Sequence, residues 1–313
     1  MSVYTIVEQD QLETFLMQYD LGQLLNYEGI SHGIENTNYF VTTTKGKFVL
    51  TIFEQYTAEE LPYFLELMAY LSEHQIPSAH PIADKAGHYL RELCGKPAAL
   101  VQRLCGASIT QPNVEQCQSV GTVLGRLHAI SADFPFHRPN ARGTHWWHIT
   151  AKKLYPHLSQ EDANLLKAEL HFQHEYSHLA LPRGVIHADL FRDNALFDNN
   201  KLCGVIDFYY ACNDVLLYDL AVTVNDWCSL ENGHLDQTRL QALLSGYVSE
   251  RALSQQERDT WQVMLRAAAL RFWLSRLQDM HFPREGEITH IKNPDEFKAI
   301  LQARSLQNVG LGL

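Results

Sequence analysis

One stretch constrains this chain more than any other: "GVIHADLFRDNALFDNNKLCGVIDFYYA", from Gly184 to Ala211. Two apolar runs, "GVIH" and "GVIDF", have the composition of buried strands. Between them lies a loop holding His187, Asp189, Arg192, Asp193 and Asn194, and Asp207 ends the second run. Polar groups set among buried residues cost free energy unless they are paired or used. The loop therefore needs an explanation, and the rest of the chain narrows what it can be.

At 313 residues the chain exceeds one ordinary core, so two lobes are expected. With 46% hydrophobic and 19% charged residues it is globular. A net charge of −11 argues against binding nucleic acid, which needs a basic face. An anionic ligand would need local cations or a metal. None of the six cysteines forms a CxxC pair, so neither a zinc site nor a disulfide framework is expected. The first twenty residues lack the pattern of a signal peptide, and no apolar run approaches the ~20 residues that span a bilayer. A cytoplasmic protein with no membrane partner is the expectation.

Residues 4–20 have helical apolar spacing at Leu12, Phe15, Leu16 and Tyr19. "NYFVTTT" and "KFVLTIF" predict an antiparallel hairpin turning at "KG". "TAEELPYFLELMAYLSEHQIP" predicts a helix with Thr57 and Glu60 as a capping box, its start delayed by Pro62. Strands are expected near 87–92 and 97–103, and "QRLCGAS" as a crossing between lobes. Helices follow at 114–131, 161–179, 215–230, 236–250 and 258–281. The domain reading is a nucleotide-binding lobe at 1–103 and a catalytic, substrate-binding lobe at 104–313.

Phosphoryl transfer from ATP asks for few protein groups. It needs a carboxylate to orient the attacking hydroxyl and take its proton, oxygen ligands for Mg²⁺, and a cover over the nucleotide. An Asp, an Asn five residues later and an Asp on the next strand supply the first two, here as Asp189, Asn194 and Asp207. Asp and Asn are also ordinary turn residues. Three at this spacing, flanked by buried-type strands, favour the chemistry.

"HADLFRDN" resembles the catalytic loop HxDxxxxN of protein kinases and of the aminoglycoside and choline kinase group. "VIDF" is similar to their second metal-binding strand, and "LLYDLA" (216–221) to the segment after it. "GIENTNYFV" resembles the nucleotide loop of the small-molecule branch, with Gly33 and Asn36 in its G-x-x-N positions. Together with "FVLTIFE", "GVIDFYYAC", "NDWC" and "RFWLSRL", these pieces span about 33–277 and resemble the kinase-fold type of bacterial homoserine kinase. The resemblance implies an α+β, protein-kinase-like bilobal fold: a small antiparallel sheet with one main helix, then a larger helical lobe. It implies transfer of the ATP γ-phosphate to the side-chain hydroxyl of L-homoserine, on the route to threonine. Asp189 would be the catalytic base, Asn194 and Asp207 would bind Mg²⁺, and Asp219 would brace the catalytic loop. Other small-molecule kinases of this fold, acting on choline, ethanolamine, an aminoglycoside or a sugar, remain alternatives, as does a nucleotide-binding pseudokinase.

One position departs from the wider kinase pattern. Thr51 stands where protein kinases place a strand lysine for the α- and β-phosphates. Lys47 shares its face but lies ~13 Å along the strand, a poor substitute. His187 is expected to hold the loop and His128 to be a satisfied core histidine. "HWWH" (145–148) has no evident third metal ligand. An amino-acid acceptor needs a cation for its carboxylate and an acceptor for its ammonium. Arg192, Tyr209, Asp226, Trp227 and Arg271 are the candidates to read it.

Overall fold

The computed structural model describes residues 4–30, 36–283, 292–306 and 309–311. They divide into two compact units, Met1–Cys105 with Cys203–Ile206, and Gly106–Leu202 with Asp207–Leu313.

The first unit starts with helix α1 (Gln9–Leu16), shorter than its periodicity suggests because Glu8 and Gln11 form a capping box at its start. Its sheet has five antiparallel strands: β1 (Leu24–Gly29), β2 (Thr37–Thr43), β3 (Gly46–Ile52), β4 (Leu90–Leu93) and β5 (Lys96–Gln102), in the order β1-β2-β3-β5-β4. Thr43 pairs with Gly46, so the hairpin turns at Thr44–Lys45 and Gly46 opens β3, one residue off the expected turn. Alternation puts Tyr39, Val41, Phe48, Leu50 and Ile52 into a core with Leu12, Phe15 and Leu16. Helix α2 (Leu61–Glu73) starts next to Pro62, which lacks the N–H that an interior position would need. Thr57 and Glu60 do hydrogen-bond, but in the turn ahead of the helix.

The second unit holds α3 (Val114–Ile130), α4 (Thr144–Leu154), α5 (Gln160–Glu175), α6 (Leu216–Trp227), α7 (Gln237–Glu250), α8 (Gln255–His281) and α9 (Pro294–Leu306). Five of these answer to the expected helices with shifted ends. Helix α8 starts three residues early because Ser254 and Glu257 form a capping box. Helices α4 and α9 and strand β1 have no counterpart in the sequence reading. The apolar runs that bracket the loop contribute strands β6 (Arg183–Ile186) and β8 (Lys201–Val205), which do not pair with each other. Strand β6 pairs antiparallel with β9 (Cys212–Val215), and β8 pairs with β7 (Ala195–Asp198).

Helices α3 and α7 cross with their backbones nearly touching. A Cβ at Gly121 would lie 2.0 Å from the Leu243 carbonyl oxygen, and one at Gly246 2.2 Å from that of Gln118, so only glycine fits. This approach brings His128 of α3 against Tyr247 of α7. Among the described residues no helix is long and apolar enough to cross a membrane.

Candidate active site

Residues 187–194 form a loop laid along one helix. Asp219, in the first turn of α6, accepts the His187 N–H on Oδ2 and the Ala188 N–H on Oδ1, both at 2.7 Å. Seven residues on, two turns further along the same face, Asp226 accepts the Arg192 N–H at 2.8 Å and the Arg192 guanidinium at 3.0 and 3.2 Å. Next to it, the Trp227 indole N–H donates to the Leu190 carbonyl at 3.0 Å. Helix α6 is thus a template for the loop. The hold at Ala188 has a local reason. Its φ of 63° is left-handed, unfavourable for a residue with a Cβ, and must be offset by contacts such as Asp219's.

Asp219 is fully buried and so needs partners. Its third is the His128 Nε2, at 3.1 Å. The His128 Nδ1 meets the Tyr247 hydroxyl at 2.8 Å, Arg251 donates to that hydroxyl at 3.0 Å, and Arg251 also pairs with Glu257 at 2.8 Å. His128 is a satisfied core histidine, as expected, but its partner is the carboxylate that holds the loop. Its position on the apolar face of α3 with Leu124 and Leu127 is the signal in the sequence, because a polar group there requires a partner.

The loop presents Asp189. The Asn194 side-chain N–H₂ donates to the Asp189 carbonyl at 2.9 Å and to its Oδ2 at 3.1 Å. No described residue donates to Asp189 Oδ1. The residue is half-buried overall while its carboxyl sits deep among protein atoms, and this burial pushes its pKa up to about 8. Arg271 and Lys292 pull it down, and Asp207 and Asp193 push it up. Asn194, committed as a donor through its nitrogen, keeps its amide oxygen without a donor among the described residues. Asp207 is exposed, at a left-handed φ of 63° directly before a 3₁₀ turn at Phe208–Tyr210. An amide oxygen and a carboxylate are the hard donors that a divalent cation such as Mg²⁺ prefers.

The other sequence candidates fall into two groups. His187, Asp219, Arg192, Asp226 and Trp227 bond within the protein. The His187 Nδ1 takes the Asp189 N–H at 3.3 Å and its ring packs 4.6 Å from Phe208. Burial disfavours the Arg192 charge but the Asp226 carboxylate outweighs that, and its pKa is raised. Phe191 stacks with Phe297 of α9 at 5.7 Å and packs on Phe272 at 4.5 Å, so α9 also steadies the loop. In the second group, Arg271 alone of these candidates is buried without an acceptor among the described residues. Tyr209 is half-buried. In "HWWH", His145 and His148 are exposed on α4, and the Arg142 guanidinium lies over the Trp146 ring.

In the first unit, Thr51 is buried and donates its hydroxyl hydrogen bond to the Asn38 amide oxygen across the β2–β3 pair at 2.8 Å. Asn36 is buried, and its side-chain oxygen has no partner among the described residues. Gly33 lies outside them.

A five-stranded antiparallel sheet unit, a helical unit and a loop of this build define a phosphotransferase of kinase-like fold. The chain belongs to the phosphotransferase enzyme family, whose profile matches residues 26–253. It is 51% identical to a homoserine kinase of Methylobacillus flagellatus over 96% of this chain and 95% of that one. It is 46% identical to a homoserine kinase of Neisseria meningitidis over 96% of this chain and 99% of the other. Among solved structures, amicoumacin kinase hAmiN, in complex with AMP-PNP and Ca²⁺, superposes with a TM-score of 0.73 at 17% identity, covering 96% of this chain and 92% of that one. Choline kinase LicA of Streptococcus pneumoniae gives 0.68 at 13% identity, covering 96% and 99%. At such identities the likeness speaks for the fold.

Proposed function

We propose that this protein is a homoserine kinase of the cytoplasm, transferring the γ-phosphate of ATP to the side-chain hydroxyl of L-homoserine to give O-phospho-L-homoserine for threonine biosynthesis. The observation that carries the reading is near-full-length identity of about half to a homoserine kinase, joined to a loop whose geometry suits the chemistry. Asp189 is the base. Its Oδ1, without a donor among the described residues, is the atom to receive the acceptor's hydroxyl hydrogen bond and then its proton, while Asn194 holds the other oxygen. The raised pKa suits a group that must both take and release a proton near neutrality. Asn194 Oδ1 and the Asp207 carboxylate would hold the divalent cation. That ion, when bound, neutralises charge on the transferring phosphate.

Arg192, Asp226 and Trp227 we assign to holding the loop, a different role from the substrate contact expected of them, because each is occupied within the protein. Nucleotide binding we assign to the first unit. With Thr51 neutral and tied to Asn38, charge on the α- and β-phosphates falls to the metal and to backbone N–H groups around Asn36.

The test is a panel of homoserine, serine, threonine and choline, with ATP consumption and product mass as readouts. Homoserine should give the highest kcat/KM by at least tenfold, and a chelator should abolish turnover. Preference for choline, or no turnover with any acceptor, overturns the proposal.

A further inference from the structure

Two buried arginines of the second unit and one half-buried arginine are matched to acceptors. Arg304 reaches Asn225, the Gly233 carbonyl and Ser229; Arg276 reaches the Asn293 carbonyl and Glu296; Arg192 reaches Asp226. Arg271 breaks this pattern, and the half-buried Arg142 joins it beside Tyr210. Arg271 of α8 is 5% exposed, yet among the described residues its guanidinium has neither an ion pair nor a hydrogen bond. It lies 3.8 Å from the centre of the Phe272 ring and 5.1 Å from that of Tyr210. Arg142, in the turn before α4, likewise has no side-chain acceptor among the described residues; it lies 4.7 Å from the Trp146 ring and 5.9 Å from the same Tyr210 ring.

Aromatic faces stabilise a guanidinium but leave its N–H groups unsatisfied. A buried group with five donors and no acceptor is costly. In a chain of net charge −11, carboxylates are plentiful, and this pair of cations is nevertheless left without one. Arg271 also acts electrostatically on Asp189, so the open fork stands near the reacting group.

We propose that Arg271 and Arg142, both packed on Tyr210, form the carboxylate subsite of the acceptor pocket and read the α-carboxylate of an amino-acid alcohol. The inference rests on the reading of the protein as a homoserine kinase and adds to it the side chains that set the acceptor class. Planar guanidinium forks match a carboxylate bidentately. The flanking rings fix the guanidinium planes, so little entropy is lost when the acceptor binds. Arg271 bears the larger share, because it is the more deeply buried of the two.

The experiment compares two acceptors that differ only in the carboxylate, L-homoserine and 3-amino-1-propanol, on wild type, Arg271→Met, Arg271→Lys and Arg142→Gln. Thermal melts and KM for ATP are measured alongside. In Arg271→Met, kcat/KM for homoserine should fall about 10²–10³-fold, chiefly through KM, as for truncating one partner of a buried charge pair. The value for 3-amino-1-propanol should fall at least tenfold less than that for homoserine, the shared part reflecting the lost pull of Arg271 on Asp189, and KM for ATP should stay within about threefold. Arg142→Gln should show the same selectivity at about tenfold. Arg271→Lys keeps the charge but not the fork and should lose about tenfold on homoserine alone; it decides the matter if the Met variant melts early. Equal losses on both acceptors, or a rise confined to KM for ATP, overturn the inference, the latter by making the ligand a phosphate. A wild type idle on homoserine sinks the proposed reaction and the subsite together. A wild type active on homoserine, with selectivity unchanged in every variant, sinks the subsite alone.

Discussion

Two aspartates meet at the catalytic loop and live under opposite conditions. Asp219 receives two backbone N–H groups at 2.7 Å and a histidine at 3.1 Å. Asp189 receives one amide N–H at 3.1 Å on one oxygen, and burial pushes its pKa up to about 8. Both carboxyls are removed from water, and what separates them is the number of donors aimed at the charge. A buried carboxylate with its donors in place is scaffold. One left short of donors is destabilised as an anion, and this makes it ready to interact with a hydroxyl.

The largest effect should come from removing the reactive member. Asp189→Asn should lower turnover ~10²–10⁴-fold with nucleotide binding retained. It should also stabilise the fold at neutral pH. The folded-state pKa lies above the ordinary value of 3.8, so the folded protein binds the proton more tightly than the unfolded chain. Stability associated with Asp189 is therefore complete below about pH 4 and lost as pH rises through about 8. Asn does not titrate, so in melts without nucleotide or divalent cation the Tm advantage of Asp189→Asn should grow between pH 5 and 8. A variant that melts below wild type at pH 8 would break the contrast.

Removing the scaffold member should do the reverse. Asp219→Ala strands two backbone N–H groups and His128, and should cost ~3–5 kcal/mol of stability, measured by urea unfolding, with activity falling alongside. If Asp219→Ala loses activity but no stability, Asp219 belongs with the chemistry.

Asp226→Asn sharpens the comparison at the other end of α6. Weakening the Arg192 pair should cost ~1–3 kcal/mol, and a double-mutant cycle with Arg192→Met should show coupling, while KM for homoserine moves less than about threefold. A large KM effect would return Arg192 and Asp226 to the acceptor site.

The smallest effect is expected in the first unit. Thr51→Val removes one hydrogen bond to Asn38 and should cost ~0.5–1.5 kcal/mol, with kcat/KM for ATP down tenfold or less. An enzyme as dead as Asp189→Asn would show that Thr51 serves the nucleotide directly.

What could be read in advance followed from locality. Asp189, Asn194 and Asp207 lie within nineteen residues of one another, and the chemistry proposed for the loop was suggested by their spacing. The hairpin and seven of the described helices, α1 to α3 and α5 to α8, were legible from their apolar positions. Strand β1 was not, since none of its residues is fully buried and no alternation marks it. In α4 the buried stripe runs Trp147, Thr150, Ala151 and Leu154, half of it residues that look like surface. In α9 a charged Arg304 sits in register with Phe297, Ile300 and Leu301 and masks a core-facing helix. The roles of arginines were the least legible. Arg192 and Arg271 are alike as letters, and only the fold shows one fork filled and the other open. Tyr247 and Arg142 stand 58 and 47 residues from Asp189 in sequence, and no local pattern points from them to the loop.

The buried row behind the loop has a direction. Arg251 can only give hydrogens, so the oxygen of Tyr247 must receive one from it. With a neutral imidazole whose hydrogen on Nε2 faces the Asp219 carboxylate, the phenol's own hydrogen goes to the His128 Nδ1. Every hydrogen in the row points the same way, toward the carboxylate. A cation held by Glu257 near the start of α8 thus polarises three side chains in series, and each bond strengthens the next. The row works as an orienting wire and not as a proton path: any proton moving along it would have to turn the phenol against a guanidinium that cannot accept. The loop is anchored to a fixed polarity that a proton taken up at Asp189, in the role proposed for it, would have no route to disturb.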